Sequence, residues 1–183
     1  MKSLQIKIFA AVIVTVLAGS TAYYLKGKSA MDSAIPGIIP SSSADSSIPG
    51  ISEPGFYKSD QYGFSFGYPK EFKVSEFNES GADVILIRDA AANSVFQISV
   101  SPFDEPGPIT KERILQDIPD MPIINDKEIS VGGLKALSFT NKNAALETFE
   151  IWFVHGGNLY QISAFPSFVG RLDKILATWK LKA

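Results

Sequence analysis

Residues 146–154 read LETFEIWFV, and they are followed by His155-Gly156-Gly157-Asn158 and then by LYQISA at residues 159–164. The first run alternates with period two. Phe149, Ile151 and Phe153 fall on one side, and Thr148, Glu150, Trp152 and Val154 on the other, as in a strand packed on both faces. A Gly-Gly pair between two such runs suits a two-residue turn with positive φ at both centres. The expectation is an antiparallel hairpin with the shape of a sheet core.

Working outward, the same alternation recurs in Phe64-Ser65-Phe66-Gly67-Tyr68, in DVILI from Asp83 to Ile87, and in VFQISV from Val95 to Val100. Glu128 to Val131 and Leu134 to Phe139 flank Gly132-Gly133 and read as a second hairpin. Two segments carry helical spacing. Thr110 is placed to cap a short helix over residues 111–118, stopped by Pro119, and Ser167 to cap a second running to about Thr178. In the second, Phe168, Leu172, Ile175, Leu176 and Trp179 form one apolar stripe. Residues 180–182 form a last short strand or fray. Strands joined by tight turns, with helices laid on them, give an α+β class built on an antiparallel sheet.

Tyr62-Gly63-Phe64-Ser65-Phe66-Gly67-Tyr68-Pro69-Lys70-Glu71-Phe72 resembles the opening strand and Tyr-Pro turn of PsbP-like domains. Residues 147–154, the Gly-Gly turn and Leu159-Tyr160-Gln161-Ile162 resemble their central hairpin. Ile175-Leu176-Ala177-Thr178-Trp179-Lys180-Leu181 resembles their closing helix-to-strand signature. The resemblance implies an α/β/α sandwich around an antiparallel sheet. Photosynthetic members are extrinsic proteins of photosystem II, and bacterial relatives with membrane anchors mostly have no assigned activity. None of the photosystem-specific binding positions matches, so the resemblance transfers no functional residue.

The globular portion spans residues 56–183. It holds twelve of the thirteen phenylalanines and both tryptophans, enough aromatic area for one core. Thirteen Lys and Arg stand there against sixteen Asp and Glu, with no basic stripe, which argues against a nucleic-acid partner. The chain has no cysteine, so disulfides, thiol nucleophiles, thiolate metal sites and lipoprotein anchoring are all excluded.

Upstream, residues 27–55 contain sixteen Ser, Pro or Gly in 29 positions and no apolar periodicity. They read as a spacer with a root-mean-square reach of ~30 Å. Ile35-Pro36-Gly37-Ile38 recurs as Ile48-Pro49-Gly50-Ile51 within it. Before the spacer, eighteen uncharged residues run from Ile8 to Leu25, between Lys2 and Lys7 on one side and Lys26 and Lys28 on the other. As a helix they cover roughly 27 Å, about one hydrocarbon core. Tyr23 and Tyr24 stand where an interfacial belt belongs. Residues 1–26 are therefore expected as a signal anchor contacting membrane lipid, N-terminus inside and domain outside. The alternative is a signal peptide cleaved near Ala22.

Four constellations carry candidate chemistry. Gly63-Phe64-Ser65-Phe66-Gly67 matches the G-x-S-x-G elbow, with His155 as the only base of its type, but the elbow needs a strand-to-helix turn and Ser65 reads as mid-strand. His155 alone reads as a turn residue. Asp117, Asp120, Asp126 and Glu128 offer oxygen ligands for calcium, without the spacing of an EF-hand. Residues 102–108 (PFDEPGP) form a stiff loop suited to recognition. Trp152 and Val154 would form a partner surface if no helix covered that sheet face. The expectation is a non-enzymatic binding or accessory domain with no cofactor and with a protein or envelope partner. A serine hydrolase using Ser65 and His155, or a calcium-dependent surface protein, are the alternatives.

Overall fold

The computed structural model describes residues 54–89, 94–142 and 147–182. The expected span from Ile8 to Leu25 and nearly all of the spacer lie outside the described residues. Among those described, no helix is long and apolar enough to cross a membrane.

Ten strands and two short helices follow one another among the described residues. They are β1 (Pro54–Ser59), β2 (Phe64–Pro69), β3 (Lys73–Glu79), β4 (Ala82–Asp89), β5 (Ser94–Pro102), α1 (Lys111–Asp117), β6 (Ile123–Val131), β7 (Leu134–Lys142), β8 (Glu147–His155), β9 (Asn158–Ala164), α2 (Val169–Leu176) and β10 (Lys180–Leu181). Seven strands form one sheet in the order β3-β4-β5-β9-β8-β7-β6, and β1-β2-β10 form a second. Every pairing is antiparallel. Both Gly-Gly hairpins appear where expected, with φ of 57° and 85° at Gly132 and Gly133 and of 57° and 74° at Gly156 and Gly157. β1 takes in Pro54 and Gly55.

The expected α/β/α sandwich is corrected in its layers. One face of the large sheet presents Ile85, Ile87, Phe96, Ile98, Ile151, Phe153, Tyr160 and Ile162. The layer packed on it is the small sheet together with α2, not helices alone. Phe64 and Phe66 of β2 face inward, and Trp179 stacks on Phe64 at 4.6 Å and on Phe66 at 5.3 Å between ring centroids. Thr178 locks the junction: its hydroxyl accepts from Gly67 N–H (2.8 Å) and donates to the Ile175 carbonyl (2.7 Å). The opposite face of the large sheet carries α1 and its flanking segments over a smaller core of Ile114, Met121, Phe139, Trp152 and Leu159.

α1 obeys its sequence. Thr110 Oγ1 accepts from Arg113 N–H (3.2 Å), as a capping threonine does. Pro119 disfavours a helical Ile118, so the helix ends at Asp117. α2 does not start as expected. A 3₁₀ turn (Pro166–Phe168) precedes it and Ser167 makes no capping bond, because Pro166 presets a tighter first turn.

Gly132 shows how tightly the larger core closes. A Cβ there would stand 2.9 Å from Trp179 Cδ1, and φ is +57°. Alanine meets both the ring and the left-handed backbone, the second alone costing about 1–2 kcal/mol. Gly133, at φ +85° with open space around it, meets only the backbone term. Gly132→Ala is therefore expected to lower the urea midpoint more than Gly133→Ala. Equal losses would show that Trp179 gives way freely.

Candidate binding cleft

Where β1 crosses the outer strands of the large sheet, the two sheets part and leave a cleft of about 270 Å³. Its walls are Tyr57 and Ser59 from β1, Gln61 and Tyr62 from the following turn, Glu76 and Asn78 from β3, and Asp83 from β4. Antiparallel register brings the wall together. Asn78 stands opposite Asp83 and Glu76 opposite Ile85, so all three polar side chains share the face turned to the small sheet.

Asp83 is the centre of the cleft. Its Oδ2 accepts from Tyr62 Oη (2.5 Å) and Gln61 Nε2 (3.2 Å), and its Oδ1 from Asn78 Nδ2 (2.9 Å). The Asn78 bond first, and the Tyr62 bond next, hold the carboxyl below the usual aspartate range. Burial and then the Asp83 bond push the Tyr62 hydroxyl well up. The Tyr57 hydroxyl is turned to Glu76 and pushed up to about 12, by burial first and by Glu76 next. Both tyrosines are thus neutral: Tyr57 faces Glu76, and the Tyr62 proton is spent on Asp83. So are the N–H groups that Gln61 and Asn78 direct at Asp83. What the cleft offers outward is chiefly acceptors, residual carboxylate lone pairs and two amide carbonyls, beside the second N–H of each amide.

Because the folded Asp83 has a depressed pKa, its bonds stabilise the domain above the unfolded aspartate value. That contribution disappears as pH falls through the folded value. Asp83→Asn is expected to flatten the acid limb of the melting profile below about pH 4. An unchanged acid limb would remove Asp83 from the stability of the cleft.

The sequence-expected candidates do not converge. Ser65 sits mid-strand, opposite Lys58 and Lys180, with no strand-to-helix turn. His155 closes β8 opposite Asn158 in the other sheet. No hydrogen bond links the two. Asp117 is buried and takes Arg113 Nη1 at 2.5 Å. Asp126 takes Lys111 at 2.7 Å and Glu128 takes Lys135 at 3.2 Å, while Asp120 is exposed. Among the described residues no three acidic or histidine side chains gather in a way that fits a metal. The 102–108 loop is tied down, since Glu105 grips Arg113 through two bonds of 2.5 and 2.9 Å. Trp152 is buried beneath the α1 layer, so the condition for a partner surface there is not met.

The sequence alone does not single out Glu150. It is buried at the middle of β8, accepting from Thr148 Oγ1 (2.6 Å), Ser163 Oγ (2.5 Å) and Trp152 Nε1 (3.2 Å). Burial raises its carboxyl to about 7 against those three bonds. A polar band continues beside it. Gln97 and Ser163 lie in its row, and Ser99 and Gln161 in the next, all buried. The Gln97 and Gln161 amides and the Ser99 hydroxyl have no hydrogen-bond partner. The only available signal was a glutamate sharing a strand face with a tryptophan.

The described residues adopt a PsbP-like fold: an antiparallel sheet layered with a small sheet and two short helices. The solution structure of cyanobacterial PsbP (CyanoP) from Synechocystis sp. PCC 6803 superposes with a TM-score of 0.51 at 13% identity, over 75% of this chain and 98% of that one. A crystal structure from Bacteroides thetaiotaomicron matches with a TM-score of 0.47 at 14% identity, over 70% of this chain and 48% of that one. No protein-family model and no curated protein matches the sequence.

Proposed function

We propose that this chain is a membrane-tethered, non-enzymatic binding or accessory domain, held outside the cytoplasm by residues 8–25. The observation that carries the reading is the layout: an uncharged run of membrane length, a Ser/Pro/Gly spacer, and then one domain with a PsbP-like fold. The spacer's reach of ~30 Å keeps the domain clear of the headgroups while confining its search to neighbours in the same envelope. The cleft supports a binding role, because its polar groups are organised to accept hydrogen bonds rather than to generate a nucleophile.

Fractionation tests the tether. The intact chain is expected in the membrane pellet, resistant to carbonate washing, with a mass that includes residues 1–22. Recovery of the intact chain free in the cytosol would overturn the reading. A shorter, exported form would replace the anchor with a cleaved signal. A fluorophosphonate probe tests the absence of enzymatic activity. No labelling is expected, and labelling abolished by Ser65→Ala would establish a hydrolase instead.

A further inference from the structure

Two independent features meet at one border of the molecule. The first is an open strand edge. Among the described residues β3 pairs only with β4, and none of them covers its outer side along Lys73–Glu79. All seven residues are exposed or half-exposed, and the strand has neither proline, glycine nor bulge. The opposite border of the same sheet is blunted. β6 breaks its register between Ile124 and Lys127, with Asn125 at φ +54°. A bulge of this kind turns an edge away from further pairing, whereas a regular edge presents unpaired N–H and C=O groups to another strand.

The second feature is the acceptor-lined cleft, which opens directly beside that edge. Glu76 lies on β3 itself and is the diagonal neighbour of Asp83, about 7–8 Å away by sheet geometry. A strand added outside β3 would set a side chain about 5 Å from Glu76 on the cleft face. A lysine or arginine at that place reaches into the 270 Å³ space towards Asp83. The next residue of the added strand falls on the other face, opposite Phe77, which is 37% exposed. An apolar partner there covers the ring.

We propose that the β3 edge receives an extended, basic segment of a partner protein by strand addition, its cationic side chain seated between Glu76 and Asp83 and an apolar neighbour on Phe77. Main-chain bonds supply the affinity of this recognition mode and alternate side chains its selectivity. A bare metal ion fits less well. Both Asp83 oxygens already accept from Tyr62, Gln61 and Asn78, and a hard cation must displace those donors, whereas an ammonium or guanidinium uses the lone pairs that remain. The proposal rests on reading the chain as a binding module and says where and what it binds.

The test uses the full chain in detergent micelles and the acetylated, amidated peptide Thr-Lys-Val-Lys-Thr, with Thr-Glu-Val-Glu-Thr as its charge-reversed control. Calorimetry measures affinity, and hydrogen exchange locates the protected amides. The lysine peptide is expected to bind and to slow exchange within Lys73–Glu79. Glu76→Gln, which leaves the Asp83 cluster intact, is expected to weaken it about tenfold, equivalent to about 1.4 kcal/mol. Phe77→Ser is expected to weaken it by a smaller factor, and the glutamate peptide to leave exchange unchanged. Four results would each overturn the proposal: no binding at millimolar peptide, equal binding of both peptides, protection confined to other strands, or butylamine alone matching the peptide's affinity. If proximity labelling from the tethered domain finds envelope neighbours while this edge stays unprotected, the binding-module reading survives and strand addition falls. Ser65-dependent fluorophosphonate labelling would sink the module itself.

Discussion

Trp179→Ala is expected to cost 3–5 kcal/mol, read as a drop in the urea midpoint at unchanged slope. The indole is the keystone between the two sheets. It stacks on Phe64 and Phe66 of the small sheet and meets Phe153 of the large one edge-on at 6.0 Å. Truncation leaves a void that three phenylalanines on well-paired strands cannot close by a local shift. Typical domains are stable by only 5–15 kcal/mol, so the variant retains a small margin. Trp179→Phe separates packing from polarity. The indole Nε1 is buried without a partner, so phenylalanine forfeits volume but no hydrogen bond. It is expected to lose well under half as much as alanine. A loss below about 1 kcal/mol for alanine would mean that the two sheets hold together without this contact.

Glu150→Gln is expected to stabilise the protein at pH 8 and to leave it nearly unchanged at pH 4. The folded carboxyl titrates at about 7 and the unfolded one near 4.5. Between those values the native state holds a proton that the unfolded state has already released. Stability therefore falls as pH rises through that window and stays low above it. Converted at 1.36 kcal/mol per unit, the full effect is on the order of 3 kcal/mol. No charged group among the described residues contributes to the shift, whose only opposing causes are the hydrogen bonds from Ser163, Thr148 and Trp152. Glutamine fits the same net: its oxygen accepts from Ser163 and Trp152, and its amide donates to a rotated Thr148 hydroxyl. The melting temperature followed from pH 4 to 9 in both proteins is the measurement. Parallel curves would show that Glu150 stays protonated, or stays solvated, throughout.

Much of this architecture is legible in residues near one another. The LETFEIWFV run declares its two faces, and the structure places Ile151 and Phe153 in the larger core and Trp152 in the smaller. Gly132-Gly133 and Gly156-Gly157 announce turns because both centres need positive φ. Thr110 and Pro119 bracket α1. β1 and β3 leave weaker traces. β1 opens on Pro-Gly, and β3 (KVSEFNE) is an edge strand with exposed residues on both faces, so neither shows the alternation that burial imposes. Ser167 misleads because Pro166 starts a 3₁₀ turn first.

The candidate site is another matter. Tyr57, Tyr62, Glu76 and Asp83 are spread over 27 positions and share no motif; they meet only because β1 crosses over the β3–β4 hairpin. Glu150 needs Ser163 from the neighbouring strand to become an embedded acid. The motif that does stand out, around Ser65, is a strand whose serine merely fills the outward half of the alternation.

By itself, then, the chain determined its buried strands, the helix after Thr110, its Gly-Gly turns and its membrane-length N-terminal run, because each depends on local propensity and short-range periodicity. The folded structure alone decided the strand order, the small sheet that shares the expected helical layer with α2, the acceptor cleft beside β3 and the burial of Glu150. Those depend on which distant segments lie side by side, and a period of two fixes the faces of a strand without naming its neighbours.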